Sequence, residues 1–236
     1  MIDVKNLSIS YDKNIIDDIS FTLSANKVNI LMGRNGAGKS SILDAIAGLI
    51  PYNGDIKKIG KLSYLNQNIN SNVKFTVFET ILLGKVSSLS FRIKDEDIKA
   101  TKEVISLLNL EKFKDRYINS LSGGEVQKVF IGQALVNNPD ILMLDEPVSA
   151  LDLKNQYEIM NLIRDLTKKL NLTTLISLHQ ISLIERFADE IILIHNKKIY
   201  KKGTSKQVLD EETFEDIFDM KTDIRDISGK RYIYFD

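Results

Sequence analysis

Apolar positions along the chain follow two rhythms. Near the N-terminus Ile2, Val4, Leu7 and Ile9, then Ile19, Phe21 and Leu23, then Val28, Ile30 and Leu31 come at strand-like spacing. The polar breaks at Asp12-Lys13-Asn14 and Ala25-Asn26-Lys27 read as turns, so the chain is expected to begin with antiparallel strands. From Val28 onward the pattern becomes a short apolar strand, a glycine-rich turn and a helical stretch that closes at Gly48, with Pro51 beyond it. The same alternation returns later: a helix from about Glu125 to Val136, a strand from Ile141 to Leu144, a helix from Leu153 to Leu170, and strands from Thr173 to Leu178 and Glu190 to Ile194. Apolar strands separated by helices imply a parallel sheet covered on both faces.

Residues 70–121 read differently. A strand from Leu62 to Leu65 precedes them, Thr76-Val77-Phe78-Glu79 fits a capping box that opens one helix, and Asp95 is placed to cap a second whose Ile98, Val104, Ile105 and Leu108 share a face. Beyond Gly203 a short helix from Thr213 to Phe218 and a hairpin from Ile224 to Tyr234, turning at Ser228-Gly229-Lys230, are expected. No internal repeat is visible.

With 43% hydrophobic and 27% charged positions in 236 residues, the chain can bury a substantial core without disulfide or metal staples. The 32 Lys and Arg balance the 32 Asp and Glu, so no net positive field draws nucleic acid, and none is expected as a partner. The absence of cysteine removes thiol catalysis and thiolate metal sites and is compatible with a reducing compartment. The longest stretch free of Lys, Arg, Asp and Glu, Leu170 to Ile184, is too short and too polar to span a bilayer, and Met1-Ile2-Asp3-Val4-Lys5 lacks the marks of a secretory signal. The chain is therefore expected on the cytoplasmic side.

Gly33-Arg34-Asn35-Gly36-Ala37-Gly38-Lys39-Ser40, followed by Ser41, fits the phosphate-binding P-loop, with the apolar strand before and helix after that the motif requires. Small residues let backbone N–H groups curl around a phosphate, and the helix that follows adds its positive end. Lys39 would supply a point charge to the β- and γ-phosphates and Ser40 a ligand for Mg²⁺. Ile141-Leu142-Met143-Leu144 ends in Asp145-Glu146, which places two carboxylates at the crevice edge of a parallel sheet. Taken alone this is a solvated strand end. Beside a P-loop, Asp145 becomes a candidate Mg²⁺ holder and Glu146 the residue that orients or deprotonates the attacking water. In Leu121-Ser122-Gly123-Gly124-Glu125, Ser122 as N-cap and Glu125 three residues later make a capping box, and the same capped helix start can also bind an anion.

A P-loop, LSGGE and ILMLDE in that order resemble the ATP-binding subunits of ABC transporters, over essentially the whole chain. Tyr11, Gln67, Ser149-Ala150-Leu151-Asp152 and His179 also fall at matching places. The resemblance implies an α/β P-loop NTPase (RecA-like) core with a parallel sheet, formed by residues 1–69 and 122–236 with an antiparallel β subdomain, and a helical subdomain inserted at 70–121. It implies that Tyr11 stacks on adenine, that Gly33, Asn35, Gly36, Ala37, Gly38, Lys39, Ser40 and Ser41 hold ATP, and that Ser40, Gln67 and Asp145 hold Mg²⁺. Glu146, His179 and Gln67 would be catalytic. Ser122, Gly123, Gly124 and Asp152 would meet the ATP of a second copy in a head-to-tail dimer at the cytoplasmic face of the membrane. Integral permease subunits would be partners, and a substrate-binding protein an indirect one.

Glu125, Lys128, Val148 and Gln180 depart from the commoner Gln, Arg, Thr and Asp of that family, while each primary catalytic position is kept. Thr76-Val77-Phe78-Glu79 leading to Leu82-Leu83-Gly84-Lys85, Leu151-Asp152-Leu153 followed by Gln156, and Phe187-Ala188-Asp189-Glu190 resemble importers of iron-siderophore, haem or cobalamin complexes. A zinc or manganese importer subunit, a soluble ABC ATPase outside transport and a non-hydrolysing scaffold remain as alternatives.

Overall fold

The computed structural model describes residues 1–66, 74–85, 93–227 and 230–235, with backbone alone at Lys230. The chain forms two compact units. One takes in Lys58–Ile176 with Ser24–Asn26 and Met1, the other Ile2–Leu23, Lys27–Lys57 and the chain from Ser177.

In the second of these, β1 (Ile2–Ser10) and β2 (Asn14–Leu23) pair antiparallel, as the opening pattern predicts. The apolar spacing slips from two to three between Val4 and Leu7 and again between Ile16 and Ile19, yet all four are buried. The slip has a structural cause. Asn6 and Asp18 adopt left-handed backbone (φ 51° and 52°), register shifts fall around them, and Asn6 Nδ2 donates to Asp18 Oδ1 at 2.8 Å. Each bulge adds one residue, which returns the following apolar side chains to the core face. On the far side of β1 lies β4 (Asn53–Lys58), a strand with only Ile56 partly covered, which the hydrophobic pattern does not reveal.

The same unit holds β3 (Lys27–Met32), parallel to β8 (Glu190–His195), and β9 (Lys198–Gly203), antiparallel to β8. Asp189 pins the start of β3, its carboxylate accepting from Val28 N at 2.8 Å and its own N–H donating to Val28 O at 2.9 Å. Asn196 and Lys197, both at positive φ, make the two-residue turn between β8 and β9, the geometry that matches the twist of flanking strands. Helix α1 (Lys39–Ala47) stops at Gly48 in the left-handed conformation, as expected. Towards the C-terminus come β10 (Thr222–Ile227) and β11 (Lys230–Phe235) as an antiparallel hairpin; its expected turn residues Ser228 and Gly229 lie outside the described residues.

The other unit contains β5 (Leu62–Leu65) parallel to β6 (Ile141–Asp145), with β7 (Thr173–Leu178) next to β6. Around these strands fold α2 (Val77–Leu83), α3 (Asp95–Leu107), α4 (Gly123–Leu135) and α5 (Leu153–Lys169). The Thr76 capping box is present, Glu79 N donating to Thr76 Oγ1 and Thr76 N to Glu79 Oε2 at 2.8 Å. Asp95 is not the cap of α3 but its first residue. The N-cap is Lys94, whose N–H is taken up by Asp97 at 3.1 Å, because a carboxylate in the third helical position reaches back to that group. Ile98 is half-buried, while Val104, Ile105 and Leu108 are buried together. Three further helices, α6 (Ile181–Phe187), α7 (Ser205–Val208) and α8 (Glu211–Phe218), lie in the unit that carries β8. Of these only α8 is foreseen by the sequence, and it starts two residues earlier because Asp210 caps it through Thr213 N.

Close packing of α2 against α4 depends on Gly84, where a Cβ would lie 2.1 Å from the Gln133 carbonyl oxygen. Gly84→Ala should therefore lower stability by about 1–3 kcal/mol, the usual range for overpacking. The measurement is the urea midpoint, and an unchanged midpoint would contradict this packing.

Candidate active site

The phosphate-loop residues leave β3 at Gly33, where a Cβ would sit 2.8 Å from the Ile194 carbonyl oxygen, so the backbone turns tightly against β8. Gly38 has φ 94°, and a Cβ there would press on Ile16 at 2.8 Å. The loop is closed by Ala37 N donating to Arg34 O at 3.1 Å, and Asn35 and Gly36 are exposed at its outer edge. Helix α1 then begins at Lys39 with no side-chain cap and no acidic residue in its first turn. Its positive end is left without the local anion that most of the other helices of this chain carry. Lys39 is 6% exposed, and its ammonium donates to Gly33 O at 3.0 Å and Arg34 O at 3.3 Å. Ser40 is exposed beside it and Ser41 partly covered. An uncapped helix start, a buried cation and a glycine-lined loop suit a polyphosphate chain. Taken singly, the Ser40 hydroxyl and the Asp145 carboxylate are each hard oxygen donors of the kind that Mg²⁺ takes together with substrate phosphates.

Tyr11 stands exposed in the β1–β2 turn, and its N–H donates to Lys13 O at 3.1 Å. His179 is the first exposed residue after the fully buried β7. Both are presented at strand ends, as the sequence anticipates. Gln67 lies outside the described residues.

Within the unit that contains β6, the whole strand is buried and Asp145 is 4% exposed. Glu146 follows at φ 46°. Most of the chain's other positive-φ side-chain-bearing residues are Asn or Asp, which tolerate that region; a glutamate held there marks a position where the fold has imposed a strained backbone. Ser149 steadies it, N and Oγ donating to Glu146 O at 3.3 and 3.2 Å. Asp145, Glu146, Ser149 and Leu151 share the lining of a hollow of about 210 Å³ with Gly123 of α4. This brings the carboxylate pair and Gly123 of the LSGGE stretch to a common cavity.

At the start of α4, Ser122 is the N-cap, and Glu125 Oε2 accepts from Ser122 N and Ser122 Oγ, each at 2.8 Å. The Ser122 backbone N–H, and next its hydroxyl, hold the Glu125 carboxyl below its ordinary pKa. Asp152 is the N-cap of α5, accepting from Asn155 N at 2.8 Å. One residue, Asn155, escapes the sequence analysis, and the hydrogen bonds of Gln156 are not anticipated by it. Asn155 donates from Nδ2 to Asp152 at 3.0 Å, and Gln156 Nε2 donates to Val148 O and Leu151 O at 3.3 and 3.0 Å, so the first turn of α5 holds the loop that precedes it. The Asp-x-x-Asn spacing at a helix start is the available signal for Asn155.

The fold and these features define a P-loop NTPase: a parallel strand feeding a glycine loop with a buried lysine in one unit, and a buried strand ending in two carboxylates in the other. The ABC transporter family model matches residues 16–149. An ABC transporter ATP-binding protein of Methanocaldococcus jannaschii, itself uncharacterised, is 35% identical over 244 residues, covering 97% of this chain and 95% of that protein. The petrobactin import ATP-binding protein of Bacillus subtilis is 31% identical over 251 residues, covering all of both chains. Among solved structures, a chain from a transporter assigned to the metal-chelate type, in an inward-facing conformation, superposes with a TM-score of 0.90 at 26% identity, over 100% of this chain and 96% of the other. The chain belongs to the ABC transporter family and is an ATP-binding ATPase.

Because the folded chain favours ionised Glu125, its contribution to stability is present above the ordinary glutamate range and fades as pH falls through the lowered folded value. Glu125→Ala should cost about 1 kcal/mol near pH 7, the usual scale of a lost cap. The wild-type advantage should shrink as pH is taken below the ordinary glutamate range; a difference that grows on acidification would refute the assignment.

Proposed function

We propose that this chain is the ATP-hydrolysing subunit of an importer that carries an iron-siderophore, haem or cobalamin-type metal chelate. The observation that carries the ATPase part is the pairing of an uncapped α1 start with the buried Lys39 ammonium. The cargo class is supported by the petrobactin importer subunit, similar over its full length, and by the solved metal-chelate type transporter.

In this reading backbone N–H groups of Gly33, Asn35, Gly36, Ala37, Gly38, Ser40 and Ser41 surround the phosphates and Lys39 neutralises their charge. Tyr11 lies against adenine. Ser40 and Asp145, with Gln67, hold Mg²⁺, which when bound screens the phosphate oxygens. Glu146 accepts the proton of the attacking water, and His179 orients Glu146 toward the γ-phosphate. Water adds to the γ-phosphorus, the bond to the bridging oxygen breaks, and ADP and phosphate leave.

Ser122, Gly123 and Gly124 complete this chemistry from the opposite subunit, because the N-terminal end of α4 meets an anion held by a second copy. Two copies arranged head to tail thus enclose two ATP molecules, with Asp152 beside the boundary. Closure passes to permease subunits through the region of Gln67 and the Thr76–Lys85 segment, where the nucleotide-binding core gives way to the helical insertion, at the cytoplasmic face of the membrane. The buried polar machinery explains why cargo leaves little trace in this subunit: ATP, and not the chelate, is what it touches.

Lys39→Ala should lower ATP affinity or turnover at least tenfold. Glu146→Gln should keep nucleotide binding but lose turnover, and light scattering with saturating ATP should show it as a dimer. A Glu146→Gln chain that stays monomeric even with its permease would overturn the composite site. Turnover per subunit of the unaltered chain should rise with protein concentration; a constant value in a verified monomer would contradict the same proposal.

A further inference from the structure

We infer that Asn155 is a positioning residue for ATP hydrolysis, tying the Asp152 loop to the N-terminal turn of α4. The inference rests on the reading that Ser122, Gly123 and Gly124 face the ATP of a second copy. Both oxygens of the Asp152 carboxylate are engaged by this one residue: Oδ1 by Asn155 N at 2.8 Å and Oδ2 by Asn155 Nδ2 at 3.0 Å. The carboxamide is therefore fixed in rotation. Its opposite edge lies over Gly124, which is buried: a Cβ at Gly124 would fall 2.7 Å from Asn155 Oδ1 and 3.1 Å from its Cγ. No residue larger than glycine fits at 124 unless the carboxamide gives up its place and with it the bond to Asp152.

The contact extends in both directions. Gln156 grips the same loop through the carbonyls of Val148 and Leu151, and Gly123 lies against Leu151, where a Cβ would be 3.2 Å from Cδ2. At the other end of the loop, Ser149 donates to the carbonyl of Glu146. A continuous set of contacts thus runs within one subunit from the α4 start, through Asn155 and Asp152, to the backbone of the proposed general base. Occupancy of the partner's ATP site, felt at the N–H groups of Gly123 and Gly124, reaches Glu146 by this path. The arrangement couples the two ATP sites through close packing, since a shift of α4 by a fraction of an ångström cannot be absorbed by a glycine–carboxamide contact.

The test is a double-mutant cycle in the full chain, with steady-state ATPase kinetics and the affinity for a fluorescent ATP analogue as readouts. Asn155→Ala should lower kcat about tenfold while KM and the analogue Kd stay within twofold, because the chain's own P-loop is untouched. Gly124→Ala should lower kcat by more than tenfold through displacement of the carboxamide. Adding Asn155→Ala to Gly124→Ala should raise kcat at least threefold above Gly124→Ala alone, since the obstruction is gone. A residue needed only for folding predicts the reverse, a double variant no faster than the slower single one, and that result overturns the inference. Ser122→Arg separates the two levels. If it hydrolyses ATP at the wild-type kcat, the composite-site reading fails and the inference with it; if it is inactive while Asn155→Ala retains wild-type kcat, the inference alone fails.

Discussion

The structure around the P-loop depends on a cation placed where water does not reach. Lys39 has its ammonium on the backbone carbonyls of Gly33 and Arg34. Removing an ammonium from water is costly unless it is hydrogen-bonded and close to negative charge. The two carbonyls meet the first demand and also curl the loop, which is why Gly33 lies hard against the Ile194 carbonyl and why Gly38 takes a conformation closed to other residues. The second demand is one that a bound phosphate would serve, so the buried ammonium suits the polyphosphate chain proposed for this loop.

Two kinds of helix start divide the labour in this chain. Those opening α2, α4, α5 and α8 are closed by their own side chains, Thr76, Ser122, Asp152 and Asp210. The start of α1 has a glycine in that place. A side-chain cap would compete with phosphate for the same N–H groups, so its absence is informative at α1. At α4 the cap sits beside two glycines, so Ser122 and Glu125 order the turn while leaving the Gly123 surface open. Glu125 in place of the commoner glutamine retains this function because a carboxylate accepts from the Ser122 N–H as well as an amide oxygen does.

What could be read from the chain without coordinates was mostly local. The capping boxes at Thr76 and Ser122, the glycine loop, the β5 and β7 bounds and the C-terminal hairpin strands are legible because the residues that make them are neighbours in sequence. Strand β4 was not, since it is mostly polar and is a strand only by pairing with β1; β9 was hidden for a related reason, its lysines giving no clean alternation. The short α6 was lost between two apolar strands. The helical run before Leu108 is legible, but its cap is not, because Asp95, Glu96 and Asp97 are adjacent acids and only the folded backbone decides that Asp97 reaches back to Lys94. In the candidate site the order of motifs picks out the residues to consider, whereas the packing of Asn155 on Gly124 and the grip of Gln156 on Val148 and Leu151 are visible only in the folded chain.

The paired bulges of β1 and β2 carry a consequence for how this sheet tolerates change in length. Asn6 and Asp18 each insert one residue, and they meet through a side-chain hydrogen bond. Side chains alternate faces with a period of two, so a spacing of three keeps both flanks in the core only while the bulge holds its shape. Flattening either bulge without shortening the strand would turn the apolar residues on one side of it outward, whereas deleting its extra residue would leave an even spacing and keep them inside. Length at these two positions is thus tied to backbone geometry, one residue for one bulge, a frame-keeping rule written into each strand separately.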